Sequence, residues 1–365
     1  MGSRIQLFVN GVLYEGWKGA TVERSVDAVS GSFRLSTGDR WEMNRDPLRI
    51  KPGDKCVVKI NDISIITGWV DGSSRSTDAL SHRVEITGRD ATCDIVDCSA
   101  AVSSFEIHGQ TLAGLARLLC SPFNLMVDDK AQDREVFPTV AVQPGETVWN
   151  CLERQARQRD VFVITDGLGR IVLCRLPEGR ADDMLVLGGN VLRASVDLDH
   201  TNLFSLYAVK GQMPATGSEE NVWNEPQNAV EATASDTNIK RYRPLILTSE
   251  SQVYEKSASL RAEREMRRRI GDAVEVSVEV QGWTQSGGAL WPLGASIVFQ
   301  APALGFTSAE LIISEVANNI DDGGGIVTTL RLKHPDAFLS DEQKKKSKKK
   351  KSKEDYSAYW GDECE

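Results

Sequence analysis

The sequence predicts a mainly β chain with an α+β insertion: two related β-barrel-like domains plus an α+β domain, discontinuous in sequence. Three observations predict it. Short alternating apolar–polar runs separated by tight-turn pairs fill residues 4–98. Helical spacing of apolar residues replaces that alternation after Cys98. Strict alternation then returns from Val274 onward. At roughly 150 residues per domain, 365 residues accommodate two to three domains with substantial cores.

The first strand is marked by Ile5, Leu7 and Val9, and Asn10-Gly11 supplies a hairpin turn before Val12 and Tyr14. Strands follow over Ala20 to Val26, Gly31 to Leu35, Cys56 to Ile60, Ile63 to Val70 and Ser81 to Gly88. Pro52-Gly53-Asp54, Asn61-Asp62 and Asp71-Gly72 are the turns between them. Leu112, Leu115, Ala116 and Leu119 define a helix that Ser121-Pro122 stops. A second helix runs from about Glu146 to Arg159, with Val148, Cys151, Leu152 and Ala156 on one face. It leads into a hairpin, Val161–Ile164 and Ile171–Leu173 around Asp166-Gly167-Leu168-Gly169.

Strands resume at Val191 to Val196 and Leu203 to Lys210. Residues 211–240 are polar and are expected to form a long exposed excursion. A helix is expected over Ser251 to Arg269, ended by Gly271. Strands follow at Val274 to Val280, Ser296 to Phe299, Leu311 to Val316 and Ile326 to Leu332. Four segments result. Residues 1–98 form a first β-barrel domain. Residues 99–188 and 223–272 form an α+β middle domain. Residues 189–222 and 273–338 form a second, split β-barrel domain. Residues 339–365 form a flexible Lys-rich tail.

The formal charge is −9, from 43 basic and 52 acidic side chains. Residues 341–365 hold eight lysines against seven acids, so residues 1–340 carry −10. A body this acidic repels a phosphate backbone, which argues against an enzyme that grips DNA. No apolar run approaches the roughly 20 residues of a membrane span, so no stable membrane insertion is expected. The N-terminus alternates too soon for a secretory leader. Seven scattered cysteines, an odd number, read as reduced thiols of a protein made in the cytoplasm.

Catalytic chemistry has few places to hide. His82, His108, His200 and His334 are far apart, without HExxH or HxH spacing. Asp197 and Asp199 fall on one face of a strand beside His200 and could hold a cation, but a solvated strand end explains them. Cys93 and Cys98 lack the second pair that a zinc ribbon or finger needs. Gly167-Leu168-Gly169-Arg170 is explained by a hairpin turn rather than a phosphate loop. Arg261, Arg264, Arg267, Arg268 and Arg269 spread around their helix at about 100° per residue, with Glu263 and Glu265 interleaved. That favours ion pairing over nucleic-acid binding. The Lys-rich run could grip a membrane or nucleic acid, though its acidic neighbours nearly neutralise it. No catalytic, cofactor-binding or metal-ligating residue is nominated.

Five stretches carry a resemblance. They are GRDATCDIVDCSA (88–100), ETVWNCLERQARQRDVFVITDGLGRIVL (146–173), LFSLYAVKGQ (203–212), SASLRAEREMRRRIGDAVEVSVEVQGW (257–283) and GALWPLGASIVFQAPALGFTSAELIISEVANNIDDGGGIVTTLRLKHPDAF (288–338). In this order the chain resembles the baseplate hub proteins of contractile phage tails, of the Mu-like and broader late-control D type. The resemblance implies a non-enzymatic virion protein of the tail baseplate, assembled in the host cytoplasm. It implies a homotrimer whose two barrels per chain alternate in a pseudo-sixfold ring, a symmetry adaptor between the sixfold tail tube protein and the trimeric central spike protein. Other baseplate wedge proteins would be neighbours, and DNA would pass through the channel during genome ejection without specific binding. No cofactor is implied. A tail-associated cell-wall hydrolase, a receptor-binding adhesin using 211–240, and the hub of a phage-tail-like bacteriocin or type VI-like device are the alternatives. Trp283 and Trp291 are expected in the barrel core.

Overall fold

The computed structural model of the chain describes residues 4–37, 50–77, 82–212, 229–248, 255–321 and 325–338. The expected Lys-rich tail, and residues 213–228 of the expected excursion, lie outside the described residues. The chain is mainly β with an α+β insertion and divides into two compact units. The first holds residues up to Ser195 together with Ser277–Leu332, and the second holds Val196–Val276 and Lys333–Phe338.

The first unit opens with seven strands: β1 (Ile5–Val9), β2 (Val12–Tyr14), β3 (Gly19–Ser25), β4 (Ser32–Thr37), β5 (Lys55–Ile60), β6 (Ile63–Thr77) and β7 (His82–Asp90). The Asn10-Gly11 turn between β1 and β2 has positive φ at both residues (49° and 81°), as a two-residue hairpin of this twist requires. Alternation places Leu7, Val22, Leu35, Val58, Ile66 and Ile86 in one core.

The insertion contains α1 (Cys93–Asp97), β8 (Glu106–Thr111), α2 (Leu112–Cys120), β9 (Met126–Asp129), β10 (Val136–Ala141), α3 (Val148–Gln158), β11 (Phe162–Thr165) and β12 (Arg170–Cys174). Thr111 and Thr147 cap α2 and α3, their Oγ1 atoms accepting from the N–H groups of Gly114 and Asn150 at 3.1 and 3.2 Å. The buried stripes of both helices pack with Ile95 of α1 over β11 and β12. Ile95 thus joins the core of the insertion, and the strands of the first sheet end at Asp90.

Next come β13 (Leu185–Val186) and β14 (Val191–Leu198), then β15 (Leu206–Gln212), β16 (Ala229–Ser235), β17 (Pro244–Thr248) and α4 (Glu255–Asp272). The closing strands are β18 (Val274–Gln281), β19 (Ser296–Ala301), β20 (Phe306–Asp321) and β21 (Gly325–Lys333). Three expectations need correction here. The excursion expected over 211–240 contains β16, which pairs with β15 from Gln212↔Ala229 to Leu206↔Ser235. Its inward residues are the alanines Ala232 and Ala234, too small to register as a hydrophobic alternation. The strand at Leu206–Gln212, grouped from sequence with the closing barrel, instead lies between β16 and β17 in a three-stranded sheet covered by α4. Gly271 does not end α4. It allows close approach of the turn Pro335–Ala337, since a Cβ there would lie 2.2 Å from the Ala337 nitrogen.

The large sheet runs in the order β14-β18-β21-β20-β3-β4-β7-β6-β5-β1-β2, with β19 also on β20 and β13 on β19. One five-strand order occurs in it twice: β3-β4-β7-β6-β5, and β14-β18-β21-β20-β19. The two copies match in detail. Gly53 and Gly294 precede the fifth strand of each copy with φ of +90° and +78°. Their N–H groups donate to the carbonyls of Val70 and Ile313, both at 2.8 Å. The N–H groups of Val70 and Ile313 donate back to Asp54 and Ala295 at 2.9 and 3.0 Å. Val70 on β6 is therefore the structural counterpart of Ile313 on β20.

Candidate assembly surfaces

The residues singled out in the sequence do not converge. Asp199 lies beyond the end of β14, where its carboxylate accepts from the Thr201 N–H at 2.7 Å and from the Thr201 hydroxyl. These bonds hold it below its ordinary pKa range and fix it as a turn former. Among the described residues, no three His, Cys, Asp or Glu side chains come together as a metal site. Cys93 is buried in α1 and Cys98 is exposed after it, and both are free thiols. Burial pushes the Cys93 thiol up to about 12, so it stays protonated and a poor ligand at neutral pH.

His108 contacts Thr139 Oγ1 at 3.0 Å, whereas His334 Nδ1 accepts from the Asp336 N–H at 3.1 Å. Three arginines of α4 are engaged along their own helix: Arg267 with Glu263 at 3.5 Å, and Arg268 and Arg269 with Glu265 at 3.5 and 2.7 Å. Arg269 also lies over the Phe204 ring at 5.1 Å. A depression of about 330 Å³ is walled by Arg180–Met184 and Val298, and one of about 250 Å³ by Asp199, Asn202, Arg268, Arg269, Asp272 and Ala273. Neither brings a nucleophile beside a base.

Sequence reasoning missed a buried ionic knot. Asp90 is fully buried, and its carboxylate accepts from the N–H groups of Gly31 and Thr92, both at 2.8 Å, and from the Thr92 hydroxyl. Burial raises its pKa against these bonds. Burial also lowers that of Arg24, whose charge Asp166 and Asp90 support. The Asp166–Gly169 hairpin turn closes over this knot, and the Thr67 N–H donates to the Gly167 carbonyl at 2.7 Å. The glycine-rich turn is thus a latch between the insertion and the first barrel. The signal in the sequence was the pairing of Asp90 with Thr92 two residues on, a turn-forming pattern.

The joint between the two repeated strand sets is the other feature that topology alone reveals. Antiparallel pairing from Glu315↔Ser25 to Ile320↔Ala20 welds β20 to β3. The Val26 N–H donates to the Ser314 carbonyl at 2.8 Å, and Thr21 Oγ1 to Asn319 Oδ1 at 3.0 Å. Trp283, 1% exposed, packs among first-barrel residues, and its Nε1 donates to the Asn319 carbonyl at 3.2 Å. Trp291 is 3% exposed. Both tryptophans are core residues.

At the edges, β14 ends the sheet with Leu192 and Leu198 57% and 53% exposed. Leucines this far apart along a strand are ordinary surface residues; what distinguishes β14 is that, among the described residues, no strand pairs with its outer edge.

Three family models match the chain. "Mu phage baseplate assembly protein GpP-like, N-terminal" covers residues 4–90, "Baseplate hub protein gp44-like, second domain" covers 92–175, and "Mu phage baseplate assembly protein GpP, fourth domain" covers 254–341. Among solved structures, a 43 kDa tail protein of prophage MuSo2 from Shewanella oneidensis aligns with TM-score 0.82 at 29% identity, covering 93% of this chain and 100% of that one. A tail protein from Neisseria meningitidis aligns with TM-score 0.79 at 20% identity over 93% and 100%. A type VI secretion component of E. coli, described as similar to the T4 tail proteins gp27 and gp5, shares the fold (TM-score 0.54, 11% identity, 92% and 77%). The baseplate hub protein gp44 of Escherichia phage Mu is 32% identical over 343 residues, 93% of this chain and 90% of that protein. With no converging reaction centre among the described residues, a strand set present twice and this similarity along nearly its whole length, the chain belongs to the Mu-like family of phage baseplate hub proteins.

Proposed function

We propose that three copies of this baseplate hub close into a ring around an axial channel, joining a sixfold tail tube to a threefold central spike and letting DNA pass. The observation that carries this reading is the five-strand order present twice in one chain. Three chains then supply six equivalent strand sets, so a threefold object can face a sixfold one. Head-to-tail contacts of this kind are heterologous and stop growing when the rotation closes. The charge of −10 over residues 1–340 suits a wall that DNA must pass without adhering.

The role we propose is structural and needs no catalysis. A hydrolase reading finds no support in Asp90, the carboxyl that burial raises, because Gly31 and Thr92 seal it from any substrate. Wedge proteins of the baseplate would meet the outer surface of the ring, and assembly would precede release of the virion from the host cytoplasm.

Light scattering at micromolar concentration, combined with electron micrographs of the purified protein, tests the proposal. The expected mass is about 120 kDa, three times the 40.1 kDa chain, with an axial hole visible in the particle. A stable monomer, or a compact particle without a hole, would overturn it.

A further inference from the structure

The repeated strand order contains an unequal pair of edges. In the closing set, β20 is longer than its neighbour β19: residues Phe306–Ile312 pair with β19, and Glu315–Ile320 continue past it to pair with β3. In the opening set, β6 likewise outruns β5, pairing with it from Ile63 to Trp69. Counted from the Val70–Ile313 equivalence, Gly72–Thr77 of β6 is the counterpart of Glu315–Ile320. No strand among the described residues lies beside this stretch on the β5 side. Correspondingly, β3 begins the opening set and is covered by β20, while β14 begins the closing set and, among the described residues, terminates the sheet. Among the described residues, the ladder contact of β14 beyond its pairing with β18 is an isolated bridge from Val191 to Leu187. One chain therefore carries one made joint and both halves of an unmade one.

We propose that β14 of one copy pairs antiparallel with Gly72–Thr77 of β6 in the next copy, repeating between chains the β3–β20 joint made within each chain. This rests on the ring reading above and names the surface that closes it: six like joints, three within chains and three between them. The chemistry of both edges fits. β14 is eight residues long and holds no proline or lysine; its two charges, Arg193 and Asp197, are of opposite sign, and Arg193 already lies 3.8 Å from Glu279 of β18. The receiving segment, Gly-Ser-Ser-Arg-Ser-Thr, has mostly small side chains and no proline, so its composition is compatible with pairing to a neighbouring strand. Ring closure by backbone pairing also fixes the contact without a large apolar patch.

Cysteine cross-linking in the full chain tests this. In a Cys98→Ser, Cys364→Ser background, Ser195→Cys at the middle of β14 is combined in turn with Ser74→Cys, Arg75→Cys, Ser76→Cys and Thr77→Cys. Four positions are scanned because a bulge between Val70 and Gly72 shifts the facing of side chains. The mass is measured before oxidation, and products are resolved without reductant. The expected result is a trimer in which at least one pair converts most of the protein to bands of two and three chain masses, while each single cysteine yields none. A trimer in which no pair links overturns the β14–β6 contact and leaves the ring standing. A monomer before oxidation overturns the ring itself, and this contact with it.

Discussion

Two glycines in one hairpin turn show how little a residue's type reveals of its burden. Gly167 and Gly169 both have positive φ, +79° and +93°. A Cβ at Gly169 would meet the Ala91 methyl at an ordinary 3.7 Å, whereas at Gly167 it would lie 2.1 Å from the Ile65 carbonyl oxygen. Gly169→Ala is predicted to cost about 1–3 kcal/mol through backbone strain alone. Gly167→Ala should cost distinctly more, because the latch onto the first barrel must also shift. Denaturant titration of the two variants checks the order, and equal stabilities would refute the latch.

Glu265 supplies the pH dependence at this scale. Burial alone would raise its carboxyl, but the guanidiniums of Arg268 and Arg269 outweigh that and hold it below the ordinary value of 4.5. A depressed carboxyl adds stability above its unfolded pKa, and that stability drains away as pH falls through the folded value. The melting-temperature gap between the native chain and Glu265→Gln is therefore predicted to be full at pH 7 and to narrow below about 4.5. A gap independent of pH would show that the ion pairs contribute nothing.

Among the elements, α2 and α3 were the most legible, because an apolar stripe at helical spacing is a local signal; the threonine caps that set their starts were found only in the structure. The strict alternation of Val274–Val280 likewise foretold β18, whose every second residue is buried. Strand partners were not legible. Nothing in the Ala229–Ser235 segment announces a strand, and nothing in Leu206–Gln212 says that it leaves the large sheet for α4. The joint between the strand sets has one side chain that tests it. Trp283→Ala is predicted to cost about 3–5 kcal/mol, since it empties a fully buried site and removes the bond to the Asn319 carbonyl. An unchanged thermal midpoint would mean that the joint does not depend on this ring.

At the scale of the whole molecule, the duplicated strand set is joined once within the chain, by the β20–β3 pairing, and the proposed ring would repeat that joint between chains. The sequence alone established the class of the fold, the acidic body and, through five ordered stretches, the resemblance to baseplate hubs. These are properties of neighbours along the chain or of sums over it. The boundary expected at Cys98 falls instead before α1, at Asp90. Tertiary structure decided which strands meet, that Arg24, Asp90 and a glycine turn form one buried knot, and that β20 overruns β19 as β6 overruns β5. Those pairings join residues as far apart as Ala20 and Ile320, and backbone hydrogen bonds of that kind depend on strand register rather than side-chain identity, so the order of residues does not display them.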